Sequence, residues 1–247
     1  MLRALRAEVS KLRRSFVPLW TALVVVVWPL WSIFIVRLSS GSLEGLDSEG
    51  LMEFGPQGIS SWWGVLLGGF VTAYVFGREY SEGTARNMLA LPVRREWFVV
   101  AKLFLLLAWV FALSALSILA HLAYGVLLGL DGFAWEHVAR SLGDGMLVTI
   151  VIAATLPLVG VVAVLGRGYL APMIFSGVAF ATGVLVLQAG WERWYPWGMA
   201  FALVGMGWMP GETKSSLVVG SWVILGALFL LGVAALIVQI DYADCLE

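Results

Sequence analysis

The stretch Phe76 to Lys102, FGREYSEGTARNMLALPVRREWFVVAK, governs how the rest of the chain is read. It is hydrophilic, mixes both signs of charge, and holds Arg78, Arg86, Arg94, Arg95 and Lys102, five of the fifteen Lys and Arg. Apolar runs flank it on both sides, and Gly83 and Pro92 punctuate it. Between those breakers fit about two helical turns, Thr84 to Leu91, a length marginal by itself in water, so the segment needs a surface to hold it. Met88, Leu89 and Leu91 supply an apolar side. Arg86, with the acidic Glu79 and Glu82 near the start, matches the charge preference of helix ends. Pro92 stops the helix and keeps the preceding residue extended, and Arg94, Arg95 and Trp97 then form a basic aromatic collar suited to lipid headgroups. On composition alone, a plain basic loop with an incidental short helix and a docking element are equally open.

The wider composition sets the class. Of 247 residues, 61% are hydrophobic and 13% charged, and the mean hydropathy is +0.93, whereas a soluble domain carries about 25% charge. The chain is therefore an integral membrane protein, expected to be all-α. A hydrocarbon core needs about 20 apolar residues per helix, and uncharged runs of that order are 16–36, 59–76, 103–130, 146–165, 168–190 and 215–240, six spans in one transmembrane domain covering 1–247. Pro29, Pro157 and Pro172 are expected to kink or start their helices. Ahead of the first span, Leu2, Leu5, Val9, Leu12 and Phe16 recur every three or four residues, with Arg3, Arg6, Lys11, Arg13 and Arg14 mostly on the other side. That is the pattern of an amphipathic helix lying on a membrane. Eleven Lys and Arg fall on the side of the N-terminus, the central stretch and Arg167, against four on the other. The positive-inside rule then puts both termini in the cytoplasm.

The outer segments are less informative. Arg37 to Gly58 reads as a solvated acidic loop with Glu44, Asp47, Glu49 and Glu53. Between 189 and 215, Trp191, Trp194, Tyr195, Trp197 and Trp208 surround Met199 to Met206, an apolar stretch too short to cross a bilayer, and this predicts a re-entrant or interfacial pair of short helices. No span has a charge at its middle, where one is costly and usually serves an ion path. His121 is expected near the outer interface, hydrogen-bonded; His137 falls in an outer loop beside Glu136; Asp144 opens the fourth span, where a carboxylate suits a helix N-terminus. Gly64 with Gly68, and Gly125 with Gly129, permit close helix contact. The single Cys245 excludes an intrachain disulfide and reads as a bystander thiol. Nucleotide-binding and hydrolase motifs are missing, so ATP chemistry must belong to another chain.

Glu79, Glu82-Gly83-Thr84, Leu89, Pro92, Arg95 and Lys102 resemble the E-x-x-(E/D)-G-T … L … P-x-x-R … K pattern between the second and third spans of type-2 ABC exporter permeases. The basic N-terminal helix and six-span layout are similar too, so the resemblance covers nearly the whole chain. It implies that Glu79, Glu82, Gly83, Thr84, Arg86, Leu89, Pro92, Arg94 and Arg95 belong to an element coupled to a separate ATPase. The turn carrying Arg167 would be a second, smaller contact. It further implies no cofactor in this chain, ATP and Mg being bound by the partner ATPase, and a second permease chain, identical or not, in the bacterial cytoplasmic membrane. No nucleic-acid partner is expected. Within the family the chain looks most like the bacitracin-resistance and lantibiotic-immunity group, with sodium-extruding relatives similar as well. The competing classes are a secondary transporter or channel, which calls for midplane ionisable groups or unwound half-helices, and a membrane enzyme, which calls for clustered His, Asp or Cys.

Overall fold

In lipid a backbone polar group without a partner costs several kcal/mol, and a helix satisfies them internally, so long apolar runs become long helices. The computed structural model of the chain describes residues 2–13, 15–40, 48–61, 63–83, 95–132, 134–205 and 215–242. Among these the elements are α1 (Leu2–Arg13), α2 (Val17–Ser40), α3 (Ser48–Ser61), α4 (Trp63–Ser81), α5 (Arg95–Leu127), α6 (Trp135–Leu165), α7 (Leu170–Gln188), α8 (Met199–Val204) and α9 (Val219–Tyr242), with no strand. Among the described residues, five helices are long and apolar enough to cross a membrane: Val17–Leu38, Glu96–Leu127, Trp135–Leu165, Leu170–Gln188 and Val219–Ile240. A sixth span results if Glu49–Ser60 and Trp63–Ser81, bent by 43° to each other, count as one. The chain is a multi-pass, all-helical membrane protein.

The centre of the bundle is α6, which packs against α3, α4, α5, α7, α8 and α9. Its faces carry the buried Val148, Val151, Ile152, Leu156 and Val159. Small residues let the neighbours close in. A Cβ on Gly68 would lie 3.3 Å from Leu156 Cδ2, and one on Gly232 would lie 2.9 Å from the Pro157 Cβ. The Gly64 and Gly68 pair thus faces α6. Gly125 faces only a Leu51 side chain, and Gly129, at φ 64°, lies beyond the end of α5. Pro29 and Pro157 lie inside their helices. Pro172 sits in the first turn of α7, where its missing N–H has no intrahelical partner to lose.

Several sequence expectations need correction. The described parts of the stretch 37–58, residues 37–40 and 48–58, are helical and not a solvated loop. The second helix runs on to Ser40, and α3 begins at Ser48, burying Leu51, Met52 and Ile59 against α5 and α6. Scattered Gly and acidic residues hid an apolar face. The helix of the fourth expected span begins at Trp135, ahead of Met146, and its first turns point Val138, Ser141 and Gly145 towards the protein. Asp144 is therefore mid-helix, and Glu136 occupies the first turn. The helix of the third expected span likewise begins ahead of residue 103, at Arg95.

His121 is hydrogen-bonded as expected but fully buried, its Nδ1 2.8 Å from the Ser117 carbonyl. A carbonyl oxygen only accepts, so Nδ1 carries the proton. His137 lies on α6, 3.2 Å from Glu49, and Arg140 bridges Glu49 and Glu136 at 3.2 and 2.9 Å. The acids of this end are thus partly answered by the chain's own cations. In 189–205 the short helix α8 is buried against α3 and α6, while Trp191 and Trp194 are exposed.

Candidate functional site

The distal end of α4 gathers most of the described candidate residues. Gly83 adopts φ 66°, the left-handed conformation that ends helices and costs glycine least, and its N–H bonds the Tyr80 carbonyl at 3.3 Å. One turn earlier, Arg78 Nε donates to Glu82 at 2.8 Å, and its guanidinium also donates to the Tyr74 hydroxyl at 2.8 Å. This pair is open to solvent, so it contributes only a few tenths of a kcal/mol.

The stronger feature lies beside this pair on the same helix. Glu79 Oε1 receives Lys102 Nζ of α5 at 2.9 Å and Lys11 Nζ of α1 at 3.0 Å. Lys11 also donates to Glu8 at 2.8 Å, and Glu8 Oε2 stands 3.7 Å from Lys102 Nζ. The Lys102 ammonium donates to the Val75 carbonyl at 2.6 Å and sits 5.7 Å from the Phe76 ring centre. Glu8 is 5% exposed and Lys102 3%. Charges so deeply buried persist only when mutually paired and hydrogen-bonded, and two carboxylates here meet two ammonium groups. Burial pulls the Lys11 pKa down, but the hydrogen bonds and charges of Glu8 and Glu79 outweigh it and leave the pKa above the ordinary lysine value. The cleft between these residues has about 10 Å³, room for at most one water. The cluster is a joint between three helices, not a pocket for a nucleotide or cargo.

The turn between α6 and α7 joins this end of the bundle. A Cβ on Gly77 would lie 2.6 Å from the Gly168 carbonyl oxygen, and one on Gly168 would lie 3.3 Å from Ser81 Oγ. Arg167 adopts φ 48° and is exposed. Burial, then the nearby Glu82 charge, raises the Tyr169 pKa against the pull of Arg78.

The structure therefore brings Lys11, Glu79, Glu82, Gly83 and Arg167 to one end of the bundle. Arg6 is exposed on α1. For Arg3, Arg13 and Arg95 only the backbone is described, in α1 and at the start of α5. Arg14, Thr84, Arg86, Leu89, Pro92 and Arg94 lie outside the described residues, as does the short helix expected over 84–91. The sequence reading passed over Glu8. Its one legible signal is that it is the sole acid of a basic helix, three residues before Lys11.

Comparison with known proteins agrees with this architecture. The model of the ABC-2 family transporter proteins matches residues 4–183. A bacitracin transport permease protein of Bacillus licheniformis is 26% identical over 181 residues, 73% of this chain and 85% of the relative. No solved structure matches significantly.

Proposed function

Because the chain belongs to the ABC-2 transporter family, we propose that it is the membrane-spanning subunit of a bacterial ABC exporter. In this reading it sits in the cytoplasmic membrane with both termini inside, and a separate ATP-binding subunit drives it. One observation carries the reading: α1, the end of α4 at Glu79 to Gly83 and the turn at Arg167 meet at the same end of the bundle. These elements offer the ATPase one footing. ATP and Mg are held by that partner, and a second permease chain completes the path.

ATP binding moves such a system only because it favours one of two arrangements. The bend between α3 and α4, 43° wide, and the α4 end are where this chain would yield. Arg6 and the exposed Val9 on α1, with the exposed Phe16 just beyond it, offer contacts for the membrane surface. The segment around α8 takes the part of the re-entrant outer element. The 26% identical bacitracin permease favours a peptide antibiotic or another amphipathic compound as cargo, and resistance or immunity as the outcome.

The test is co-purification of the chain with an ATP-binding subunit in nanodiscs, followed by ATP-dependent transport. Glu82→Lys and Pro92→Gly are expected to insert normally and lose transport. Full transport by both variants, or by the wild-type chain with no nucleotide-hydrolysing subunit present, would overturn the assignment.

A further inference from the structure

Where α5 lies along α6, polar side chains form a seam inside the apolar bundle. Thr149 Oγ1 is 2.6 Å from Ser114 Oγ. A Cβ on Gly145 would lie 2.5 Å from Ile118 Cδ1, and one on Gly55 of α3 would lie 3.6 Å from both His121 Nδ1 and Ser141 Oγ. The two helices therefore run antiparallel in one register, Ser141, Gly145 and Thr149 of α6 facing His121, Ile118 and Ser114 of α5, with Gly55 covering the His121 end. From Ser114 to His121 the seam follows α5 for about 10 Å.

Most of it is satisfied from within. The Thr149 hydroxyl shares its bonding between Ser114 Oγ and the Gly145 carbonyl, the latter at 2.7 Å. Ser141 Oγ donates to the Met52 carbonyl at 2.7 Å, and His121 Nδ1–H donates to the Ser117 carbonyl at 2.8 Å. Two groups are left over. His121 Nε2 and Ser117 Oγ, one turn apart on the same face of α5, belong to fully buried residues and meet no hydrogen-bond partner among the described residues. With the proton on Nδ1, Nε2 only accepts, whereas the hydroxyl both donates and accepts. A buried acceptor that bonds nothing forfeits the hydration it had in water, and native proteins meet that demand with an internal water held by about two to four polar groups. There is room for one. The cleft lined by Glu49, His137, Arg140, Ser141 and Asp144 has about 20 Å³ and reaches the seam at Ser141, and beside Gly55 even a methyl group would make only ordinary contacts.

We propose that His121 Nε2 and Ser117 Oγ form a binding site for one small neutral hydrogen-bond donor, a water molecule, at the junction of α3, α5 and α6, filled through the cleft at Ser141. The water donates one proton to Nε2 and makes its second bond with Ser117 Oγ. The contact of α3 with α5 and α6 is then wet at this end, although apolar helices surround it. This site stands apart from the ATPase-driven function proposed above.

The chain has two histidines, so His137→Gln leaves His121 as the one imidazole in protein labelled with nitrogen-15 histidine. Solid-state spectra of that variant in nanodiscs are expected to show a protonated Nδ1 and an unprotonated Nε2 moved upfield from a free acceptor nitrogen, with magnetisation reaching Nε2 from water protons. Ser117→Ala takes away one partner of the water and should cut that transfer severalfold while the Nδ1 signal stays in place. In thermal melts of the full chain, the Tm changes of Ser117→Ala and His121→Leu should not add, because either substitution already strips the water of a partner. An Nε2 at the free-acceptor position, or one reached from the Ser117 hydroxyl proton alone, would overturn the site, and so would strictly additive melting changes.

Discussion

Gly77→Ala sets two opposed terms against each other. In a helix interior, replacing glycine by alanine contributes about 1 kcal/mol of stability through propensity. At Gly77 the added Cβ would lie 2.6 Å from the Gly168 oxygen and 2.8 Å from its carbonyl carbon. Both are backbone atoms that cannot rotate away. The turn must retreat by roughly 0.8 Å to reach ordinary van der Waals separation, and overpacking of this kind costs about 1–3 kcal/mol. The net expectation is between no change and a loss of about 2 kcal/mol. Gly177→Ala, on α7, is the matched control, because its Cβ would meet nothing within 4 Å and only the favourable term applies. Thermal unfolding in one detergent should place Gly77→Ala below Gly177→Ala by roughly 2–4 °C per kcal/mol of overpacking. Because the Arg167 turn is displaced, the Gly77 variant should also retain less ATPase on pull-down. If both variants melt at the same temperature and hold the ATPase equally, the close approach of α4 and the 166–169 turn does not exist as described.

Other outcomes follow from the same geometry. Gly69→Ala should destabilise the α4–α7 contact, because its Cβ would lie 2.5 Å from Ser176 Cβ and closer still to its hydroxyl; Ser176→Gly in the same chain should recover most of the loss, and a melting series without that rescue would refute the contact. The Lys11 pKa is raised in the folded state by Glu8 and Glu79, so its contribution is fully present below the ordinary lysine value of 10.5 and fades as pH rises beyond it. A spin label at Arg6 should accordingly stay immobile through neutral pH and loosen only above that value; loosening at neutral pH would argue against the pairing. Arg6→Cys should react with impermeant thiol reagents from the cytoplasmic side alone, and labelling from outside would reverse the topology.

How much of this was legible beforehand differs from element to element. The runs at 168–190 and 215–240 correspond closely to the helices α7 and α9, because most residues of each stay unburied by the rest of the chain and their apolar character is plain along the whole run. The helix α4 runs on past residue 76, where the expected span ended, to Ser81, and Gly83 follows at φ 66°. The helices that carry the spans expected from 103 and 146 begin earlier than those spans, at Arg95 and Trp135, in stretches containing charged residues. The third element went unseen because its apolar residues, Leu51, Met52 and Ile59, are spaced among Gly, Glu and Pro. The helix shows its amphipathic face only where α5 and α6 receive it.

The sequence alone determined the solvent in which this chain folds, the helical class, roughly where most of the long helices lie and, through the motif from Glu79 to Lys102, the family. Length and hydropathy suffice for that, because a helix in lipid closes its hydrogen bonds with residues four apart and consults no distant partner. Tertiary structure alone decided that Glu8 and Lys102 are buried together, that Glu79 holds two ammonium groups, and that Gly168 rests on Gly77. Whether a charge is solvated or paired depends on which helices lie against it, a property of packing that no local pattern of residues contains.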